Sequence, residues 1–237
     1  MLAIGKAALK NNQYPAGFPC EFICDKPFDP AYFAPSGLLG EGLQDMPLSI
    51  YAPAVGMKAE TDCAAMKLVK PYMNGGWDGL RCNYYTAPEG ASEYDFTAVK
   101  DQVICCAGNI GTGYFNRAPY QLRTLLGNMI DRLYGQRKVC CDRLPSFARA
   151  AVQSVPDGEL LHVIAYASEA RGMCVSMEDS VTLCDLELKF KLADKRKVRN
   201  VVLAPDCRKL DFSVQNNTVV INLPRMDGYA LIKIIYQ

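Results

Sequence analysis

Residues 102–135 read QVICCAGNIGTGYFNRAPYQLRTLLGNMIDRLYG. The stretch begins with a short apolar run from Gln102 to Ala107, which predicts a buried strand. After a glycine-rich turn, apolar residues recur every three or four positions from about Ala118 to Tyr134, which predicts an amphipathic helix. The apolar stripe consists of Leu122, Leu125, Leu126, Met129, Ile130 and Leu133. Gly135 is placed to end this helix. A strand, a glycine turn and a long helix in that order are typical of an α/β layer.

The glycine-rich turn, residues 108–113, raises the question of a nucleotide site. The dinucleotide fingerprint requires GxGxxG near the start of a domain, with an acidic residue about twenty positions further on. Here Gly111 and Gly113 are followed by Asn116 where the third glycine would stand. We therefore interpret the segment as a tight connection between strand and helix, and we expect no cofactor.

The pattern changes character near residue 136. Before it, proline and glycine punctuate irregular segments, and residues 11–47 are expected to be mostly loop. After it, short strands follow one another about every ten residues, a spacing typical of an antiparallel β-sandwich. Leu186–Leu192 alternates apolar and charged side chains, as a strand with one solvated face does. Asn216-Asn217 is expected to form a tight hairpin turn.

These patterns together predict an α/β plus all-β protein. Residues 1–135 are expected to form a partial flavodoxin-like, amidotransferase-like α/β layer, and residues 136–237 a small antiparallel β-sandwich. Further strands are expected at residues 48–51, 66–69 and 160–167.

The composition is that of an ordinary globular protein, with 237 residues, 50% of them hydrophobic and 22% charged. The formal net charge of +1 provides no field that would steer the chain to nucleic acid or an anionic membrane. No apolar run approaches the roughly 18 to 20 residues of a membrane span. Met1–Lys6 lacks the features of a signal peptide. We therefore expect no nucleic-acid or membrane partner, and a cytoplasmic protein if Met1 is the true start.

Few residues suggest catalysis. His162 is the single histidine, and it lies inside an apolar strand, where a histidine is usually structural. The eleven cysteines include no CxxC pair, so we interpret them as reduced, buried, small hydrophobic side chains and expect no metal site. The densest acids, Glu178-Asp179 and Asp185 with Glu187, are interpreted as surface or turn residues and not as the carboxylate pair of a glycosidase. The sequence therefore predicts no catalytic residue in this chain.

The best candidate for ligand binding is the glycine-flanked stretch from Gly75 to Tyr85. It contains the single tryptophan, Trp77, together with Arg81, Tyr84 and Tyr85. Aromatic rings can stack on the C–H faces of a sugar while polar neighbours bind its hydroxyl groups. The alternative is that these rings fill a gap beneath the loop.

Several short motifs, taken in their order along the chain, resemble the C-terminal part of bacterial multidomain glycoside hydrolases of the α-L-fucosidase and β-galactosidase-like type. The motifs are PFDPAYF (27–33), PYMN (71–74), LPSFAR (144–149), LHVIAY (161–166), EARG (169–172), EDSVTLCDL (178–186), VLAP (202–205) and PRMDGYA (224–230). The resemblance implies the second half of a β-galactosidase-trimerisation domain, which is amidotransferase-like, followed by a small β-domain. The catalytic (β/α)8 barrel of the family, which holds both catalytic carboxylates, has no counterpart in this chain.

The resemblance implies a non-catalytic region that supports oligomerisation and the structure of a barrel domain. The implied partner is a second copy of the chain or a barrel-bearing glycosidase chain. The alternative is a stand-alone carbohydrate-binding module that uses the loop from Trp77 to Tyr85. Members of the family carry histidines near this loop, whereas Asn83, Tyr84 and Tyr85 stand there in this chain. A small enzyme with an unrecognised site is a third hypothesis.

Overall fold

The computed structural model describes residues 1–77, 82–83, 86–135, 137–177, 179–193 and 196–237. The chain forms two compact units, Met1–Gln136 (unit 1) and Arg137–Gln237 (unit 2). Within these described ranges the protein is mostly β, with 50% strand and 12% helix. The predicted flavodoxin-like α/β layer is therefore wrong.

Unit 1 consists mainly of short strands with two helices near its end. Its strands are β1 (Leu2–Ile4), β2 (Cys20–Asp25), β3 (Tyr32–Ala34), β4 (Leu48–Ser49), β5 (Val55–Ala59), β6 (Ala64–Pro71), β7 (Gly76–Trp77), β8 (Cys82–Asn83), β9 (Pro88–Lys100) and β10 (Val103–Cys106). Its helices are α1 (Ile110–Arg117) and α2 (Tyr120–Tyr134), and Leu38–Gly40 forms a 3-10 turn.

The main sheet of unit 1 explains why the α/β prediction failed. Its described strands lie in the order β1-β10-β9-β6-β3-β4, with β5 beside β9 and β2 beside β5. Strand β10 is the second arm of a hairpin, because Val103 pairs antiparallel with Lys100 and Asp101 turns the chain with φ 50°. In the described part of this sheet β1 and β10 form the one parallel pair. A strand followed by a helix therefore occurs here without the parallel sheet that it usually accompanies.

The helix predicted from Ala118 to Tyr134 is confirmed as α2. Its Leu122, Leu125 and Met129 are buried in the core of unit 1. At the centre of that core the rings of Phe33 and Phe96 stack with centroids 4.5 Å apart. The glycine-rich turn is itself mostly helical, since α1 begins at Ile110. Residues 11–47, predicted to be mostly loop, contain the short strands β2 and β3. These strands pair with β5 and β6, which lie elsewhere in the chain.

Unit 2 is built of strands. They are β11 (Val139–Cys140), β12 (Arg149–Val155), β13 (Gly158–Ile164), β14 (Glu169–Arg171), β15 (Cys174–Ser176), β16 (Thr182–Lys191), β17 (Val198–Ala204), β18 (Arg208–Lys209), β19 (Phe212–Gln215), β20 (Thr218–Asp227) and β21 (Tyr229–Tyr236). Strands β14 and β15 form a separate hairpin, and the other described strands form one sheet with the order β11-β16-β20-β21-β13-β12. Strand β17 pairs with β21, β18 with β17, and β19 with β20.

Every strand pair described in this sheet is antiparallel, but the predicted sandwich of separate sheets is not what forms. Strands β20 and β21 are hydrogen-bonded at Asp227 and Tyr229, on either side of Gly228, and this contact joins the strands into one sheet. The strands on both sides of this contact enclose a single core, in which Leu188 from β16 and Ile232 from β21 are fully buried.

Two local predictions for unit 2 are confirmed. Asn216 and Asn217 have φ of 45° and 65° and connect β19 to β20, as a tight hairpin turn requires. In β16, Leu186 and Leu188 are buried whereas Glu187 is exposed. Neither α-helix in the described ranges is long and apolar enough to cross a membrane.

Candidate functional site

The predicted binding loop is only partly described. Trp77 ends β7 and pairs with Cys82 of β8 across a hairpin. Arg81, Tyr84 and Tyr85 lie outside the described residues, and so does the side chain of Trp77. Sugar binding by these residues stays a prediction.

Hydrogen bonds hold the base of this hairpin in place. The hydroxyl of Thr86 donates to the carbonyl oxygen of Met73 at 2.5 Å, and the Tyr32 hydroxyl donates to the carbonyl oxygen of Thr86. The backbone N–H of Asp29 donates to Oδ1 of Asn74 at 3.0 Å. These contacts hold the hairpin beside residues 29–32.

A groove lies beside residues 29–32. It consists of two adjoining hollows of about 590 and 530 Å³, both lined by Tyr51 and Arg117. Its chemically useful walls are Lys26, Asp29, Tyr32, Ser49, Tyr51 and Arg117. We call it the Tyr51 groove. The size is in the range of about 300–1,000 Å³ that is usual for small-molecule sites.

Strand alternation supplies one wall of the groove. Leu48 and Ile50 are buried in the core of unit 1, whereas Ser49, which lies between them on the opposite side of the chain, and Tyr51 line the groove. Tyr32 pairs with Ser49 across β3 and β4, which places the two side chains on the same face.

Helix α1 supplies the other wall because a glycine lets it approach closely. A Cβ atom at Gly113 would lie 2.0 Å from the carbonyl oxygen of Ile50, so a larger residue does not fit there. Arg117 follows four residues later on the same helix face and lines the groove together with Tyr51. Ala118, in the left-handed conformation with φ 50°, ends the helix at this point. Gly113 thus has a packing role and not the phosphate-binding role that its motif suggests.

The groove combines several hydrogen-bonding groups. Nζ of Lys26 lies 2.7 Å from Oδ2 of Asp29, and both side chains are about half exposed. Among the described residues, Arg117 has neither a carboxylate nor another hydrogen-bond partner. The Oγ atom of Ser49 is buried and has no hydrogen-bond partner either. Tyr51 has φ 53°, which is rare for a bulky residue. These groups can bind a hydroxyl-rich ligand, but they include no base beside a nucleophile.

His162 has a structural partner. It lies on the face of β13 opposite the core, and its Nδ1 is 2.8 Å from the hydroxyl of Tyr229. Tyr229 stands two residues from the cross-strand partner of His162, Leu231, which is the diagonal position across an antiparallel pair.

The cysteines divide into buried and exposed thiols. A hydrogen bond from the Cys20 thiol to Cys105, followed by burial, raises the pKa of Cys20, and burial raises the pKa of Cys106 to about 12. These thiols stay protonated at neutral pH and are poor nucleophiles. The prediction that the cysteines are buried is wrong for Cys174, Cys184 and Cys207, which are exposed.

One cluster in unit 1 has the composition of a metal site. The ligand atoms of Glu60, Asp62 and Cys63 lie within 4.8 Å of one another. Nζ of Lys100 lies 2.8 Å from Glu60 and 3.1 Å from Asp62. Its hydrogen bond to Asp62 lowers the pKa of that carboxyl group. The single lysine ammonium already forms ion pairs with both carboxylates, so we assign no metal to them.

Comparison with known proteins finds similar solved structures. No family profile and no curated protein sequence matches the chain. The α-L-fucosidase isoenzyme 2 from Paenibacillus thiaminolyticus matches 100% of this chain with a TM-score of 0.87 and 20% identity. This chain corresponds to 36% of the length of that enzyme. A cycloisomaltooligosaccharide glucanotransferase from Paenibacillus sp. matches 54% of this chain and 23% of its own, with 15% identity and a TM-score of 0.36, too low to indicate a common fold. The chain therefore shares its fold with a part of a fucosidase.

Proposed function

We propose that the chain is a non-catalytic region of a carbohydrate-active glycoside hydrolase related to the α-L-fucosidases. The observation that carries the proposal is the match of the entire chain to 36% of a fucosidase with a TM-score of 0.87. A chain that corresponds to about a third of an enzyme is expected to support the remainder and not to replace it. The amidotransferase-like domain is no longer part of the proposal, because the antiparallel sheet of unit 1 contradicts it.

The chemistry of the groove supports a non-catalytic role. Hydrolysis of a glycosidic bond usually needs two carboxyl groups, about 5–5.5 Å apart in retaining enzymes and about 6.5–9.5 Å apart in inverting ones. Asp29 is the one acid in the described walls of the Tyr51 groove, and it is paired with Lys26. A single carboxylate in an ion pair can bind a substrate hydroxyl but cannot supply both roles.

Exposed apolar side chains support a role in association. In unit 1 the side chain of Phe115 is 89% exposed and that of Tyr134 is 86% exposed. In unit 2 Met173 is fully exposed and Val175 is 74% exposed, both in or beside the β14–β15 hairpin. Burial of these side chains against a partner would remove their apolar surface from water, which is favourable. We propose a second copy of this chain or a barrel-bearing glycosidase chain as the partner.

An assay of the purified chain tests the catalytic part of the proposal. Aryl α-L-fucosides and aryl β-D-galactosides are incubated with the chain, and release of the aryl alcohol is followed by absorbance. We expect no release above a heat-denatured control. Turnover that co-purifies with the chain would contradict the proposal.

Light scattering tests the association part. We expect the mass at micromolar concentration to exceed the 26.1 kDa of one chain, and the Phe115→Ser variant to reduce it. Thr112→Ser, an exposed position on the same helix, serves as the control. A wild-type monomer would contradict self-association.

The alternative proposal is a stand-alone carbohydrate-binding module that uses Trp77 and its loop. The hydrogen bonds of Asp29 with Asn74 and of Tyr32 with Thr86 support it, because Asp29 and Tyr32 line the Tyr51 groove. Titration of the wild-type chain and of Trp77→Ala with sugars distinguishes this alternative, since it requires the variant to lose binding.

A further inference from the structure

We infer that the Tyr51 groove is a binding site for a pyranose saccharide. The inference rests on the proposed function, which makes carbohydrate the relevant class of ligand. It assigns binding to Tyr51, Arg117, Asp29 and Ser49, none of which belongs to the loop from Trp77 to Tyr85.

The polar groups of the groove are complementary to sugar hydroxyl groups. The two carboxylate oxygens of Asp29 can accept hydrogen bonds from neighbouring hydroxyls, and the guanidinium group of Arg117 can donate to a ring or hydroxyl oxygen. The Oγ atom of Ser49 is buried without a partner, and buried polar atoms in native proteins are normally hydrogen-bonded. If the Ser49 side chain rotates toward the adjoining hollow, a ligand hydroxyl there would provide that partner.

The ring of Tyr51 provides the apolar surface that a pyranose also needs. The side chain is 38% exposed, so one part of it remains open at the groove. Its backbone conformation, with φ 53°, is strained for a bulky side chain, and such residues concentrate at functional sites. Arg117, on helix α1, lines the same two hollows as this ring. Stacking on a ring flanked by charged hydrogen-bonding groups is a usual way to bind a sugar.

Calorimetric titration of the full chain with methyl α-L-fucopyranoside and methyl β-D-galactopyranoside tests the inference. We expect saturable binding of at least one of them. Arg117→Ala should weaken it about tenfold or more, because a hydrogen bond to a charged group is lost. Arg132→Ala is the matched control, since Arg132 occupies the last turn of α2 and does not line the groove.

A second pair of variants removes the aromatic ring without disturbing the backbone. Tyr51→Asn keeps a residue that tolerates a positive φ, so the fold should be retained while sugar binding falls. Tyr134→Asn removes an 86% exposed ring elsewhere and should leave binding unchanged. Circular dichroism spectra that match the wild type verify the fold of each variant.

The outcomes separate this inference from the proposed function. Absence of saturable binding of either sugar overturns the inference, and so does binding that survives both Arg117→Ala and Tyr51→Asn. Binding lost in Trp77→Ala alone assigns the sugar to the loop and also overturns it. Aryl glycoside hydrolysis by the chain contradicts the proposed non-catalytic role while leaving the binding result intact.

Discussion

Replacing Gly113 with alanine should destabilise unit 1, although alanine is the better helix former. The added Cβ atom would lie 2.0 Å from the carbonyl oxygen of Ile50 and 2.8 Å from Cδ1 of Leu122, and real Cβ atoms essentially never have contacts under 3.0 Å. The Leu122 side chain can rotate, but the oxygen belongs to the backbone. Helix α1 must therefore move away from the chain at Ile50.

The magnitude follows from two opposing effects. Overpacking a core costs about 1–3 kcal/mol, and a backbone clash belongs near the upper value. Helix propensity returns about 1 kcal/mol, so the net loss is about 2 kcal/mol. Gly111 provides the control within the same helix, because nothing lies within 4 Å of its added Cβ. Gly111→Ala should stabilise the protein by about 0.5–1 kcal/mol. The two variants should therefore differ by about 3 kcal/mol.

Urea denaturation followed by tryptophan fluorescence measures this difference. Trp77 is the single tryptophan and belongs to unit 1, so its signal reports on the unit that contains Gly113. With an m-value of about 2 kcal/mol/M, the Gly113→Ala midpoint should fall by about 1 M. Coincident midpoints for the two variants would refute the close approach of α1 to Ile50.

Three further predictions concern other parts of the chain. Phe96→Ala should cost unit 1 about 3–5 kcal/mol, because it removes a fully buried ring stacked on Phe33, and the same fluorescence assay measures it; a loss under about 1 kcal/mol would show that the ring is not in the core. Asn216→Val should lower the stability of unit 2 by about 1–2 kcal/mol, whereas Asn216→Gly should be almost neutral, since φ at this position is 45°. Thermal denaturation compares the two variants, and equal melting temperatures would argue against the turn. Hydrogen bonds from Arg225 and then Thr182 lower the pKa of Asp227. The contribution of Asp227 to stability is therefore present above its unfolded pKa of about 3.9 and is lost as pH falls through the lower folded pKa. NMR titration should show the lowered pKa and a smaller lowering in Arg225→Gln, and an unchanged Asp227 titration in that variant would contradict the contact.

Local periodicity was sufficient to predict the elements whose pattern is set by one buried face. The stripe of α2, the alternation in β16 and the turn at Asn216-Asn217 follow from backbone geometry within a few residues. The sheet order of unit 1 does not follow from such local geometry, because it depends on which distant segments pair.

Strand β9 illustrates why the sheet was missed. This 13-residue strand buries polar side chains that break the expected alternation. The carboxylate of Asp95 is buried, lies 2.6 Å from Nζ of Lys67 and accepts a hydrogen bond from the backbone N–H of Ala59. The Oγ1 atom of Thr97 accepts a hydrogen bond from the backbone N–H of Met66. Pairing with β5 and irregular pairing with β6 make these contacts, and no short sequence window contains all three strands.

The candidate groove was likewise beyond local reasoning. Tyr51 and Arg117 are far apart in the chain and line the same groove because Gly113 allows α1 to contact Ile50. The available signal was the spacing of four residues between Gly113 and Arg117, which places both on one helix face. What this spacing brings together depends on the segment against which α1 packs, here the chain at Ile50, and only the fold identifies that segment.

The central claim, sugar recognition without hydrolysis, is tested most directly by one proton NMR measurement on the purified chain with 4-nitrophenyl α-L-fucopyranoside. Saturation transferred from the protein to the sugar ring reports binding, and the anomeric signal followed over hours reports hydrolysis. We expect transfer to the sugar, reduced in Arg117→Ala, together with an anomeric signal of constant intensity. Release of free fucose in proportion to the chain concentration would contradict it.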